Sequence, residues 1–387
     1  MEKDIRKTAE FNLVEVIVII LITGIIVSVA SGLIVFKNYD KLSTVTESSS
    51  NLVEFNKAYE HIVDSYVKDV DKEKLIDAAI DGMYTYLNDE YSIYIDKDSS
   101  ESLEQRLDGE YSGVGIEISA NKDNGKIIIS NVFSDSPAME AGLKIGDELI
   151  ALDGVSLSGK ETTYVSDTIK NSKKKTFKIK YKRNNNEYEV ELTRKVVTID
   201  SVISKDYHNV GYIQIQTFSA TTCKQVKEKI KGFGDNIDSV VIDLRNNTGG
   251  YLSAAYQIAD YFVQKGKPIY QLKDKNNKVT KYNAKSNVLK DFKGISVLIN
   301  NYSASASEVL TLALKESANA TIVGTKSYGK GTVQETDNLS SGAMVKYTTA
   351  YWLSPNGNSI NGIGISPDIE VKDIDKQLDT AVNLFRK

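Results

Sequence analysis

The spacing of hydrophobic residues divides the chain into regions with different periods. The first region contains an uninterrupted apolar run, residues 16–36, with no charged side chain. A helix rises about 1.5 Å per residue, so a run of this length crosses a hydrocarbon layer of about 30 Å. The pattern therefore predicts one transmembrane helix. A cleaved signal peptide, with Val27-Ser-Val-Ala30 as its cleavage site, is the alternative.

Basic residues around this run indicate its orientation. Lys3, Arg6 and Lys7 precede it, and only two basic residues follow it before position 42. This excess favours a cytoplasmic N-terminus and a single pass through the cell membrane. We therefore expect residues 1–37 to form a cytoplasmic tail and anchor, and the remaining chain to be extracytoplasmic.

The next two regions differ in polarity. Residues 38–50 are polar and rich in serine and threonine, which is typical of a linker. In residues 51–100, apolar side chains recur at helical spacing in two runs, which predict an N-terminal helical region. The members of these runs are Leu52, Phe55, Tyr59, Ile62 and Tyr66, and then Ile76, Ala79, Ile80, Met83 and Leu87. The sequence leaves open whether these helices form a homodimer.

Residues 101–194 change to a period of two, which is typical of β-strands. Ser136 followed by Pro137 predicts the start of a short helix, because serine caps and proline begins helices well. Asp153-Gly154 has the turn chemistry of a β-hairpin. This region is therefore expected to be mainly antiparallel sheet with short helices.

The order of these elements resembles a bacterial PDZ domain, on the combination Ser136-Pro-Ala, Ala141-Gly-Leu and Gly146-Asp. In such domains, the loop before the first core strand binds a peptide's C-terminal carboxylate through backbone N–H groups, and the strand pairs with the peptide. The residues expected to bind peptide here are Tyr111, Ser112, Gly113, Val114, Gly115 and Ile116. An ordinary strand entry that needs glycine for a turn is the alternative.

Strands and helices alternate in residues 195–387. Two apolar strands, Val210–Ile215 and Ser239–Leu244, flank a helical pattern at residues 220–231. Another helical pattern at residues 252–264 leads towards a third apolar strand. Alternation of this kind predicts an α/β core, and a chain of this length is expected to form two or three domains.

Composition excludes several classes of function. The chain has 48 basic and 52 acidic residues, a net charge of −4, which gives no footprint for nucleic acid. Two histidines and one cysteine do not supply a zinc or haem site, and no phosphate-binding glycine motif follows a strand. We therefore expect no metal and no cofactor.

The strongest candidate for chemistry is a serine. Ser305 follows the apolar strand 295–299 and precedes a helix whose inner face includes Val309 and Leu310. The first amides of a helix are unsatisfied and attract negative charge, so the N–H of Ala306 is a natural oxyanion donor. Capping of the helix by this serine and its neighbours is the alternative.

A lysine is the candidate base, because the chain has only His61 and His208 as histidines. Lys330 lies between two glycines, 25 positions after Ser305. If it starts a strand, Gln334 lies on the same face and can hold the lysine amine. A neutral lysine requires burial, which lowers its pKa from about 10.4. A second pair of oxyanion donors is expected at Gly249 and Gly250, at the end of a strand.

Four ordered motifs resemble the carboxyl-terminal processing peptidases, also called tail-specific proteases. They are Asp243-Leu-Arg-Asn-Asn-Thr-Gly-Gly, Ser303-Ala-Ser-Ala-Ser-Glu, Gly329-Lys-Gly-Thr-Val-Gln and Thr348-Thr-Ala-Tyr-Trp with Gly364-Ile-Ser-Pro-Asp. The resemblance implies a membrane-anchored serine endopeptidase with a crotonase-like α/β protease core and a PDZ domain that captures apolar C-terminal tails of proteins or peptides. It implies Ser305 as nucleophile, Lys330 as base and Gln334 as the residue that orients the lysine.

The sequence departs from this family at two places. Thr248 stands where the family usually has proline, and Lys170-Asn-Ser replaces an Arg-Gly pair of the PDZ domain. The second change puts in doubt an activation that depends on that arginine. A membrane-tethered PDZ scaffold without activity is the alternative function. A trypsin-like protease requires an Asp-His-Ser order that the chain lacks.

Overall fold

The computed structural model describes residues 52–121 and 125–387. The predicted transmembrane segment 16–36 and the predicted linker 38–50 lie outside these residues. Within the described ranges, no helix is both long enough and apolar enough to cross a membrane. Chain contacts separate two compact units, one ending at Ile80 and the other comprising Asp81–Lys387.

The helices of the described residues follow the predicted periodicity in most places. They are α1 (52–65), α2 (Lys72–Tyr86), α3 (Lys97–Asp108), α4 (Pro137–Glu140), α5 (Thr162–Asn171), α6 (Thr222–Gly232), α7 (Leu252–Ala259), α8 (Ala306–Ala318) and α9 (Ile374–Asn383). Ser136 caps α4 as predicted, since its hydroxyl accepts from the Met139 amide at 3.2 Å.

The strands form one sheet in the PDZ region, a small ribbon and two sheets in the protease core. They are β1 (Ile93–Ile95), β2 (Glu110–Gly113), β3 (Ile116–Ala120), β4 (Ile127–Val132), β5 (Glu148–Leu152), β6 (Val155–Ser156), β7 (Thr176–Arg183), β8 (Asn186–Thr193), β9 (Lys195–Thr198), β10 (Val202–Tyr207), β11 (Val210–Ile215), β12 (Ser239–Asp243), β13 (Pro268–Asp274), β14 (Val279–Asn283), β15 (Gly294–Ile299), β16 (Thr321–Gly324), β17 (Thr332–Asn338), β18 (Met344–Leu353) and β19 (Ile369–Glu370).

The PDZ region is an antiparallel sheet in the order β3-β4-β5-β7-β8, with β6 paired to β5. Its alternating apolar positions form a separate core that includes Ile129, Phe177, Ile179 and Leu192, all nearly inaccessible to solvent. The ribbon β2-β9 connects this region to the protease core. β3 lies at the end of the sheet, so one of its edges has no strand partner among the described residues.

The protease core is an α/β sheet in the order β10-β11-β12-β15-β16-β19. All neighbours are parallel except β10 and β11. Successive residues of one strand enter different cores: Val240 and Ile242 pack with α6, α7 and α8, whereas Val241 packs with α9. Both faces are covered, which explains the nearly continuous apolar runs of these strands.

A second sheet of the core brings an N-terminal segment close to the predicted base. β18 pairs with β17, β13 and β1, and Ile93 lies opposite Lys346. β1 belongs to the segment that the sequence assigned to the N-terminal helical region. Because β1 is hydrogen-bonded into this sheet, the loop before it is held next to the catalytic cavity.

Candidate active site

Ser305 lies at the junction between β15 and α8, where the sequence predicts it. Its backbone has φ 57° and ψ −116°, outside the conformations that a non-glycine residue normally adopts. Such a conformation costs about 1–3 kcal/mol and persists where surrounding contacts enforce it. The half-buried serine is therefore held in a strained turn at the start of the helix.

The glycine pair of the 249–250 loop lies against this serine. A Cβ built on Gly249 would lie 3.1 Å from the Ser305 Cβ and 3.3 Å from the Ala306 nitrogen. A Cβ on Gly250 would lie 2.2 Å from the Phe218 carbonyl oxygen. Both glycines have positive φ, 111° and 139°, so this close approach requires glycine.

The three predicted oxyanion donors are not equivalent. The Gly249 amide donates to the Asn247 side-chain oxygen at 2.8 Å, so its proton is already bound within the loop. The amides of Gly250 and Ala306 have no acceptor among the described residues. Two amides are thus left for a substrate oxygen, and one of them begins α8, where the helix dipole favours negative charge.

Lys330 is half-buried, and its surroundings favour the neutral amine. Burial, and to a lesser extent the charge of nearby Lys346, lower its pKa to about 8, while Asp89, Glu90 and Glu308 act in the opposite direction. The Lys330 Nζ lies 4.2 Å from the centroid of the Tyr91 ring. Its carbonyl accepts from the Trp352 indole at 2.8 Å, which fixes the backbone of this loop.

Glu308 connects the serine turn to the lysine loop. Its Oε2 accepts from the amides of Ser305 and Lys330, both at 2.9 Å. Its Oε1 accepts from the Ser327 hydroxyl and the Gly329 amide, both at 2.6 Å. The side chain is completely buried, and burial raises its pKa while these four hydrogen bonds oppose the rise. Glu308 shapes the site and has no lone-pair direction left for a substrate, because all four are occupied.

Gln334 has partners that the sequence did not predict. Its amide nitrogen donates to the Thr332 hydroxyl at 2.8 Å and to the Thr348 hydroxyl at 3.2 Å. No hydrogen bond joins it to Lys330 in the described residues. The sequence predicts that residues 330 and 334 lie on one face of a single strand. This alternation does not apply, because β17 begins only at Thr332 and its register with β18 shifts between Val333 and Gln334.

These residues nevertheless share one cavity of about 370 Å³. Ser305, Lys330 and Gln334 line it together with Gly249 and Gly250. Residues separated by up to 85 positions therefore converge on one space, which is large enough for a few side chains of an extended peptide. The cavity can hold a nucleophile, a base and an oxyanion site at once.

Asp243 and Arg245 support the loop behind this cavity. Asp243 is buried and pairs with the Arg245 guanidinium at 2.6 Å, and the Tyr212 hydroxyl donates to it at 2.8 Å. Arg245 also donates to the Gln377 side-chain oxygen on α9 at 3.2 Å. These contacts anchor the glycine loop to the core, so the two residues shape the site from behind.

A second cavity, of about 870 Å³, lies in the PDZ region between β3 and α5. Five of the six predicted peptide-binding residues line it; Gly115 does not, and its carbonyl oxygen instead accepts from the Phe133 amide at 3.1 Å. The apolar side chains of Ile118, Val165 and Ile169 form part of its wall. Lys170, at the edge of the cavity, is paired with Glu101 of α3.

Sequence reasoning missed the residues of the N-terminal segment that lie beside Lys330. Asp89 and Tyr91 precede Lys330 by more than two hundred positions, and no local pattern connects them to it. Only the pairing of β1 with β18 places them beside the lysine. The polar residues Thr348 and Lys346 were missed for the same reason, since β18 was not predicted to border the site.

Three family models match the chain. Peptidase family S41 matches residues 209–371, the PDZ domain matches 112–193, and the N-terminal domain of the activating protease CtpB matches 34–99. The chain is 36% identical to the carboxy-terminal processing protease CtpB of Bacillus subtilis, over 85% of this chain and 70% of the relative. It is 35% identical to a probable CtpA-like serine protease of Staphylococcus haemolyticus, over 94% and 73%.

Among solved structures, the photosystem II D1 C-terminal processing protease is similar. It is 26% identical, and the superposition covers 83% of this chain and 92% of that one with a TM-score of 0.48.

Proposed function

Since the chain belongs to peptidase family S41, and is a carboxyl-terminal processing serine protease with a PDZ domain, we propose that it cleaves by a Ser305–Lys330 mechanism. The observation that carries this proposal is the cavity shared by a strained serine, a half-buried lysine and Gly250, with the free amide of Ala306 directly after the serine. Each has a separate task in acyl transfer.

The lysine acts as the base because part of it is neutral near pH 8. At a pKa of about 8 roughly half of the amines are neutral at pH 8, against fewer than about 1 in 200 for an ordinary lysine. The Ser305 hydroxyl transfers its proton to the Lys330 amine while its oxygen attacks the peptide carbonyl. The protonated lysine then gives this proton to the leaving amine, and a water molecule deprotonated by Lys330 hydrolyses the acyl-enzyme.

The developing oxyanion is bound by the amides of Ala306 and Gly250. Both are free to donate, whereas the Gly249 amide is used by Asn247. Removal of one such donor typically costs about 10²–10³ in kcat. Gly249 contributes by its lack of a side chain, which lets the loop approach Ser305.

The PDZ cavity determines the substrate specificity. A peptide can add to the open edge of β3, with its apolar terminal side chain against Val165 and Ile169 and its carboxylate at the short turn between β2 and β3. This arrangement selects proteins with apolar C-terminal tails. The apolar run 16–36 supports a single membrane anchor with the catalytic part outside the cytoplasm.

The test is cleavage of an unstructured protein with an apolar C-terminal tail by the Ser305→Ala variant. We expect no cleavage by this variant, and full cleavage by Ser341→Ala, which changes an exposed serine of the same core. An amidated or doubly aspartate-terminated tail should be cleaved more slowly by the unmodified enzyme. Undiminished cleavage by Ser305→Ala would overturn the mechanism, and equal rates for all tails would overturn the PDZ selection.

A further inference from the structure

A partly buried hydrogen-bond cluster joins the N-terminal segment to β18. The Asp89 carboxylate Oδ2 accepts from the hydroxyls of Thr348 and Ser92, both at 2.6 Å. The Ser92 hydroxyl in turn accepts from the Thr348 amide at 3.0 Å. Ser92 is almost inaccessible to solvent, and β1 begins at the next residue. The cluster therefore has a fixed geometry set by the β1–β18 pairing.

The cluster continues into the catalytic cavity. Thr348 lies opposite Gln334 in the β17–β18 pair, and its hydroxyl oxygen accepts from the Gln334 amide nitrogen at 3.2 Å. The second amide proton of Gln334 goes to Thr332 at 2.8 Å. Asp89, Thr348 and Gln334 thus form a chain of hydrogen bonds that ends at a cavity residue.

The charge of Asp89 gives this chain a direction. Burial favours the protonated acid, but donors at Ser92, Thr348 and Tyr91 and the charge of Lys330 together lower the Asp89 pKa below its ordinary value, so the group is ionised at neutral pH. An ionised carboxylate can only accept, and threonine has a single hydroxyl proton. Thr348 must therefore donate to Asp89, which leaves its lone pairs for the NH₂ group of Gln334.

The direction of these hydrogen bonds determines which atom of the Gln334 amide faces the cavity. With both N–H groups bound to threonine hydroxyls, the carbonyl Oε1 remains, and it has no hydrogen-bond donor among the described residues. Such an oxygen can accept an N–H of the Lys330 amine and leave the nitrogen lone pair for the Ser305 proton. A reversed amide would offer donors, which an ammonium cannot accept.

We propose that Asp89 is a positioning residue which, through Thr348, fixes the Gln334 amide with its carbonyl oxygen towards the base. The proposal rests on the Ser305–Lys330 mechanism. It assigns a catalytic support role to a residue of the N-terminal segment, and it explains why that segment is built into the protease sheet by β1.

Several charged groups face Lys330 and affect its pKa independently of the hydrogen bonds that join Asp89, Thr348 and Gln334. Lys346 on β18 lowers its pKa, whereas Asp89 and Glu90 of the N-terminal segment and Glu308 of α8 raise it. Tyr91 lies over the amine. Removal of Asp89 therefore has two separable effects, one on charge and one on the direction of the amide.

The experiment compares Thr348→Val, Thr348→Ser and Asp89→Asn by kcat and KM on a peptide with an apolar C-terminus. Thr348→Val breaks the chain without changing any charge, and we expect kcat to fall about 10- to 100-fold with KM unchanged, since misplacement of a supporting group has effects of this size. Thr348→Ser keeps the hydroxyl and should stay within about threefold of the parent. Asp89→Asn should lower kcat as Thr348→Val does. If Thr348→Val does not fold, Asp89→Asn alone tests the proposal.

Glu90→Gln is the matched control for charge. Both Asp89→Asn and Glu90→Gln remove a negative charge near Lys330, so both should move the acid limb of the kcat/KM profile to lower pH. Only Asp89→Asn should lower the plateau at high pH. In a Gln334→Ala background, Asp89→Asn and Thr348→Val should cause no further loss, because the amide that they orient is absent.

The proposal would be overturned if folded Thr348→Val kept the kcat/KM plateau of the parent at high pH. It would also be overturned if the losses caused by Thr348→Val and Gln334→Ala were fully additive. Thermal unfolding and peptide binding by the PDZ region identify variants whose loss is merely structural. The underlying mechanism has a separate test. If Ser305→Ala is inactive while Thr348→Val is fully active, only the role of Asp89 is wrong; if Ser305→Ala is active, the mechanism itself is wrong.

Discussion

At the scale of single residues, the site depends on side chains that hold backbone in place. Ser305 adopts a left-handed φ of 57°, and Glu308 binds both the serine turn and the lysine loop. Because four donors meet on one buried carboxylate, neither loop can move without leaving a polar group unpaired. The relative position of nucleophile and base is therefore set by a residue that transfers no proton.

Glu308→Gln tests this role. A carboxamide accepts at one oxygen only, so about two of the four donors lose their partner, at about 1–3 kcal/mol each. We expect the free energy of unfolding to fall by about 2–6 kcal/mol in urea titrations and kcat to fall strongly. Glu316→Gln, on the same helix and less buried, should change stability by less than about 0.5 kcal/mol. Equal stability of both variants would contradict the role of Glu308.

The sequence predicted single residues well where local signals exist. A serine between an apolar strand and a helix, and a lysine between glycines, are local patterns, and the structure brings both to one cavity. The threonine partners of Gln334 were missed because the register shift in β17–β18 is not visible in a sequence. Asp89 was missed because its contact with Thr348 spans more than two hundred positions, which no periodicity reveals.

At the scale of elements, the open edge of β3 and the helix α5 define the peptide groove. β3 ends the PDZ sheet, and Ile118 projects from it into the same cavity as Val165 and Ile169 of α5. Burial of an apolar terminal side chain there is worth about 1.5–3 kcal/mol. This element pair is therefore the proposed basis for the selection of apolar tails.

Ile118→Asp tests the groove. A carboxylate on its wall repels both an apolar side chain and the terminal carboxylate of a peptide, so Kd for an apolar-tailed peptide should rise at least about tenfold by calorimetry. Glu189→Gln, on the exposed part of β8, should leave Kd unchanged. Retained affinity in folded Ile118→Asp, or equal affinity for the amidated peptide, would show that peptides bind elsewhere.

At the scale of the whole molecule, changes of period along the chain predicted the kinds of element in each region. Strands with continuous apolar sequence lie in the sheet whose two faces are covered, and alternating strands lie in the PDZ sheet. What periodicity could not supply was the pairing of distant strands, above all β1 with β18. The predicted domain boundaries stay predictions, and the anchor lies outside the described residues.

The proposed anchor gives a prediction for the chain of residues 1–387. Residues 16–36 are uncharged and apolar, so the full-length protein should sediment with membranes and resist extraction by carbonate at high pH, whereas detergent should release it. A variant that begins at residue 38 should remain in the supernatant and still cleave an apolar-tailed substrate. Release of the full-length protein by carbonate would contradict the anchor, and a lower mass lacking this segment would indicate cleavage.

The central claim is that lysine, not histidine, is the base. The pKa of Lys330 is lowered to about 8, so the active neutral form is gained as pH rises through this value and lost below it. The most direct measurement is kcat/KM from pH 5 to pH 10 for the parent and Lys330→Ala. We predict an acid limb near pH 8 in the parent and no activity of Lys330→Ala at any pH. An acid limb near pH 6.5, as for an ordinary histidine, or an active Lys330→Ala variant would contradict the account.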